Sequence, residues 1–175
     1  MDTQRYTLVS RILHWLMALM VFGLIAVGNY MSDLPDDAPG RMDLIMIHKA
    51  TGFVFLWLLI ARVLWAVKHR APALPDTFSS RERGLAAGTK HLLYLLMAIV
   101  PLSGWGMSNF AGYAIKFGDF SVPLLFEKNK ALAGIFHEIH EYAPWVLLAI
   151  VVIHMTAVIY HLLEGGQKSI LQRML

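Results

Sequence analysis

Tyr142-Ala143-Pro144-Trp145-Val146-Leu147-Leu148-Ala149-Ile150-Val151-Val152-Ile153-His154 is apolar except at its last residue, and the run stays largely apolar to Leu163. At 1.5 Å per helical residue, the segment 142–163 matches a hydrocarbon layer of about 30 Å. Three earlier blocks have the same character and similar length: 12–30, 46–67 and 92–110. The sequence therefore predicts an all-α fold, a transmembrane four-helix bundle forming a single domain over residues 1–175.

Composition supports this reading. Of 175 residues, 57% are hydrophobic and 15% charged, with a mean hydropathy of +0.55. A soluble domain carries about 25% charged residues, and four such blocks would leave it little polar surface to face water. The first block follows Arg5 and Arg11, but its apolar run is long for a secretory leader and no small-x-small cleavage site follows. It reads as a retained span. Cys is absent, which excludes disulfides, thiolate metal sites and Cys-held iron–sulfur clusters.

The links are polar and carry helix breakers. Residues 33–40 form an acidic Pro/Gly loop, Pro72 and Pro75 block continuation of the second span, and residues 111–136 form the longest connection. Within that connection, residues 130–136 have helical character. Lys and Arg divide unevenly: Arg5, Arg11, Lys68, Arg70, Arg81, Arg83, Lys90, Lys168 and Arg173 fall on one side, against Arg41, Lys49, Lys116, Lys128 and Lys130 on the other. The richer side is expected to be cytoplasmic, which places both termini there. The net charge of +3 reflects this bias and the lipid surface, and calls for no nucleic acid.

Histidines carry the chemistry. An ionisable side chain within a span is expensive and marks a functional position by default. His140 and His154 are 14 residues apart, a rise of about 21 Å and a rotation about 40° short of four turns, so they share a face at opposite depths. Alternating span direction puts His14 at the depth of His154 and His48 at the depth of His140. Two bis-imidazole sites stacked across the bilayer follow, with His14, His48, His140 and His154 as the expected iron ligands.

Haem suits such pairs, because two imidazoles can ligate one iron axially from both faces. No Cys-x-x-Cys-His attachment motif is available, so two non-covalent haem b groups are expected. Zinc would require three or four clustered ligands. A single His near a span end is more often an interfacial residue; it is the pairing of four by depth that favours ligation.

Other residues leave two roles open. Arg62, 14 residues after His48, shares its face at the opposite depth, where it can pair with haem propionates or snorkel to lipid phosphate. Arg11 has the same options. His161 lies seven residues after His154 and suits a haem edge, a quinone head group or the lipid headgroup layer. His137, His91 and His69 read as mouth or boundary residues. Gly52, Gly104 and Gly106 suit either a macrocycle or ordinary helix contacts. The third span offers no ligand and closes the bundle, with Pro101 bending it. The five Trp residues mostly fit interfacial belts.

Taken together, Arg11-Ile12-Leu13-His14-Trp15, His48-Lys49-Ala50-Thr51-Gly52 leading to Arg62, residues 84–91, and His137-Glu138-Ile139-His140-Glu141 followed by His154 resemble the bacterial cytochrome b561 family over nearly the whole chain. The resemblance implies a multi-pass cytochrome of the inner membrane with two b haems on the same four histidines. Some members are similar to superoxide oxidases, implying superoxide as donor and ubiquinone as acceptor, with His161 near the quinone and no catalytic residue beyond the cofactor-binding set. Lys49, Lys116, Lys128 and Lys130 are then candidates for attracting the anion, against seven carboxylates in the outer loops.

Two other readings belong to different classes. A haem-binding membrane anchor would pass electrons between a partner redox protein and the quinone pool. A small metal permease would bind a passing ion and be colourless. A homodimer is compatible with any of the three.

Overall fold

The computed structural model describes residues 5–163 and 169–175, so Lys168 of the charge count lies outside the described residues. Four long helices dominate: α1 (Leu8–Asp33), α2 (Arg41–Lys68), α3 (Ser80–Ala111) and α4 (Lys130–Leu163). Each is long and apolar enough to cross a membrane. A two-residue hairpin, β1 (Lys116–Phe117) with β2 (Phe120–Ser121), sits between α3 and α4, and α5 (Ser169–Gln172) follows. The helices run past the apolar blocks at both ends because interfacial polar residues also satisfy helical geometry.

Local chemistry sets the boundaries. The Thr7 hydroxyl accepts from the Ser10 N–H at 3.3 Å and starts α1. Gly40 precedes α2 with φ of 78°, a left-handed conformation that suits glycine. Ser79 and Glu82 form a reciprocal capping box at the start of α3. Asn129 caps α4, its Oδ1 accepting from the Leu132 N–H at 3.1 Å, so residues 130–136 belong to the fourth helix. Pro101 and Pro144 both lie inside helices.

The core is small and sits at mid-bundle, where Met17, Val21, Phe55, Leu59, Leu96 and Leu147 meet from all four long helices. Many other large apolar side chains, Leu19, Leu64 and Val152 among them, point outward, as expected when lipid rather than water surrounds the fold. The closest helix neighbours are α3 with α4, α1 with α2, and α2 with α3. Among the described residues, α4 approaches α1 and α2 less closely than it approaches α3.

The two termini meet at one end of the bundle. The Tyr6 N–H donates to the Arg173 carbonyl at 3.1 Å, Trp15 Nε1 donates to the Met174 carbonyl at 2.8 Å, and Arg173 donates to the Ala73 carbonyl at 2.7 Å. Burial pushes the Tyr6 hydroxyl above the usual phenol range, with the Arg173 charge opposing. Arg83 ties down the α2–α3 link by donating to the carbonyls of Leu74, Pro75 and Phe78. This closed end is called the terminal end below, and the opposite one the distal end.

Candidate functional site

At the distal end, His48 from α2 faces His140 from α4. Their ring centroids are 6.1 Å apart and their planes cross at 76°. Each ring rests against a glycine of a neighbouring helix. A Cβ on Gly104 of α3 would fall 2.7 Å from His140 Cε1, and a Cβ on Gly28 of α1 would fall 3.1 Å from His48 Cε1. The ligand-free third span thus supplies the space that one histidine ring occupies.

Hydrogen bonding assigns the proton on His140. Its Nδ1 lies 2.8 Å from the Val100 carbonyl oxygen, which can only accept, so the neutral ring carries its proton on Nδ1. The Nε2 lone pair is left for a metal. Ser103, 1% exposed, donates to the same carbonyl at 2.8 Å and lies 3.3 Å from His140 Nδ1. Such a partner fixes tautomer and orientation and raises the donor strength of a ligating imidazole. The adjacent carboxylates are not used for this: Glu141 lies 3.7 Å from His137 instead. Nδ1 of His48 is buried with no hydrogen-bond partner.

At the terminal end, Arg62 of α2 reaches across the bundle. One terminal nitrogen lies 3.0 Å from His14 Nδ1, and Nε donates to the Tyr94 hydroxyl at 3.2 Å. The guanidinium also lies 5.6 Å from the Tyr94 ring centroid. His154 of α4 lies within electrostatic range of both His14 and Arg62. The fold therefore brings His48 and His140 together at one end and puts His14 and His154 within electrostatic range of each other at the other.

The remaining candidates are placed as follows. Arg11 sits one turn before His14 with a buried, unpartnered Nε. His161 lies 4.8 Å, centroid to centroid, from the buried ring of Phe78 and 5.4 Å from Tyr160. His137 Nδ1 lies 3.3 Å from Met107 Sδ, and His69 stacks on Trp65 at 3.9 Å. Gly52 has open space around it, whereas Gly106 makes room for Phe136. Trp15 and Trp65 act as donors that hold the terminal end, Trp65 Nε1 reaching the Thr7 hydroxyl at 2.8 Å.

The separation of the distal rings, 6.1 Å between centroids, is one at which two imidazoles could share a metal. Two metal–nitrogen bonds of about 2.0 Å and two ring radii of about 1.1 Å put the centroids of opposed imidazoles roughly 6.2 Å apart. Among the described residues, no group of three or more His, Asp or Glu converges as a metal site. Histidines taken two at a time are a donor set that would suit haem.

Sequence reasoning missed Ser103, the Val100 carbonyl, Tyr94 and Gly28. Ser103 was discoverable, being a hydroxyl two residues past a proline in an otherwise apolar span. The others become visible only when helices are paired in space.

Four apolar spanning helices enclosing paired histidines define a membrane cytochrome. The family model for prokaryotic cytochrome b561 matches residues 5–175. The chain is 32% identical to cytochrome b561 homolog 2 of Escherichia coli strain K12, covering 98% of this chain and 92% of that protein. The chain belongs to the prokaryotic cytochrome b561 family. Membership implies transmembrane electron transfer with b-type haem.

Proposed function

We propose that this protein carries electrons across the bacterial inner membrane through two b haems, from superoxide at the periplasmic face to ubiquinone near the cytoplasmic face. His48 with His140 would hold one haem, and His14 with His154 the other. The observation that carries the reading is the 6.1 Å separation of the His48 and His140 rings. The Lys and Arg bias orients it, with both termini in the cytoplasm.

Haem held by these pairs would supply one-electron chemistry. The protein's own residues do the rest. Val100 and Ser103 hold His140 in the tautomer with a free Nε2. Two lysines converge on one distal turn: Lys49 Nζ lies 5.5 Å from the Tyr113 ring centroid, and the Lys128 stem passes over Gly112. They make a local positive spot in loops that are acidic in sum, and an anion is drawn by the field at the mouth rather than by net charge.

Two superoxide anions surrender one electron each and leave as two molecules of dioxygen. One ubiquinone takes up both electrons and two protons to become the quinol. His161 against Phe78 offers a polar group beside an aromatic face for the quinone head.

Stopped-flow mixing of the oxidised, detergent-purified holoprotein with superoxide, with and without ubiquinone, tests this. Rapid haem reduction followed by quinone-dependent reoxidation is expected. Haem bands that stay oxidised in a protein reducible by dithionite would transfer the donor role to a partner redox protein and leave the bundle as its membrane anchor.

A further inference from the structure

Arg62 is a cation within a spanning helix, and its contacts are with neutral groups. It donates to Tyr94 Oη at 3.2 Å and approaches His14 Nδ1 at 3.0 Å. Ion pairs among the described residues include Arg41 with Asp36, Arg83 with Asp76, and His137 with Glu141. None of these pairs involves Arg62. A charge in so apolar a setting is poorly screened and acts over a longer range than it would at a surface.

We infer that Arg62 is a potential-setting residue for the terminal-end haem, raising the midpoint potential of the iron that His14 and His154 would hold while leaving the other site nearly unchanged. The inference rests on the two-haem reading above. Oxidation of a haem removes one electron and adds one positive charge at the iron, with no bond made or broken. A fixed cation nearby opposes that added charge and so favours the reduced form.

A guanidinium only donates, so His14 Nδ1 accepts, and the neutral ring carries its proton on Nε2. Iron on Nε2 moves that proton to Nδ1, and the Arg62–His14 bond is then given up. The Nε–Tyr94 bond and the Tyr94 ring face still hold the guanidinium at this end. Were the released donor to turn toward a haem carboxylate, removing Arg62 would leave that carboxylate uncompensated, and the midpoint would shift downward all the same.

The two sites differ in kind. The His140 ring at the distal end gives its Nδ1 proton to a carbonyl, which makes it a stronger donor and favours ferric iron. Arg62 acts in the opposite sense at the terminal end. Its charge helps draw an electron toward the end where His161 lies.

Spectroscopic redox titration of purified holoprotein, with haem content fixed by the pyridine haemochrome assay, tests the assignment. Arg62→Gln should shift one of the two midpoint potentials downward and leave the other in place, while Arg62→Lys should stay near the wild-type value. Tyr94→Phe removes the anchor without touching a ligand and should lower the same midpoint by a smaller amount. Should Arg62→Gln lose a haem, the Lys and Phe variants carry the test. Haem-replete variants with both midpoints unmoved, or with both lowered equally, would overturn the inference. A wild-type content of one haem per chain would instead overturn the two-haem reading.

Discussion

Gly104 and His140 are in direct steric register: a single methyl group on the glycine would stand 2.7 Å from His140 Cε1. The ring is also tied on its other side by the Val100 carbonyl, 2.8 Å from Nδ1, so it has little freedom to retreat. Gly104→Ala should therefore displace a ligand and lower haem content from two per chain toward one. Gly134, exposed on α4 with nothing within 4 Å of its Cβ direction, is the matched control, and Gly134→Ala should retain full haem. Pyridine haemochrome titration of the two variants decides the matter; equal haem content would remove the steric argument.

The pairing of ligands by depth predicts a pattern of loss. His48→Ala and His140→Ala should each remove the same haem, and the double variant should lose nothing more. His14→Ala and His154→Ala should remove the other. Non-additivity within a pair is expected because both members serve one centre. Low-temperature absorption spectra would separate two haems in different surroundings, and complete haem loss in the His48→Ala/His140→Ala double variant would contradict independent sites.

Much of this arrangement was legible in the chain because two periodicities coincide. The 14-residue interval between His140 and His154 is nearly four helical turns, and alternating span direction assigns each a partner. Arg62 was readable as an interior cation for the same reason, lying 14 residues from His48. Its contact with His14 was not, since α1 and α2 must first be brought together. Haem propionates or lipid phosphate were the partners expected for Arg62, and its protein partners, His14 and Tyr94, add to those. The β1–β2 hairpin escaped notice because two-residue strands have no period to detect. Asn109 and its loop escaped because the contact spans 17 residues.

Asn109 is 2% exposed and its side-chain oxygen accepts from the backbone N–H groups of Leu125 and Phe126, at 3.2 and 3.0 Å. One side chain therefore organises the long connection over the distal end. Asn109→Ala would remove the acceptor of two part-buried backbone N–H groups, and at about 0.5 to 1.5 kcal/mol net per hydrogen bond the loss should be on the order of 1 to 3 kcal/mol. Asn109→Asp keeps the accepting oxygen and should lose less. Thermal unfolding in detergent, followed by the haem band, ranks the three proteins; an alanine variant as stable as wild type would mean that water takes over both bonds.

The absence of Cys makes orientation directly measurable, because any introduced thiol is the chain's sole thiol. On the proposed orientation, positive-inside bias would put the acidic 33–40 loop in the periplasm and the basic link after α2 in the cytoplasm. Asp37 and Ala71 are both exposed and lie in those two links. In intact cells, Asp37→Cys should react with a membrane-impermeant maleimide, while Ala71→Cys should react only after the membrane is permeabilised. The result also bears on chemistry: the reverse labelling pattern would put the Lys49 and Lys128 turn in the cytoplasm, away from periplasmic superoxide, and the donor would then have to be sought on the other face.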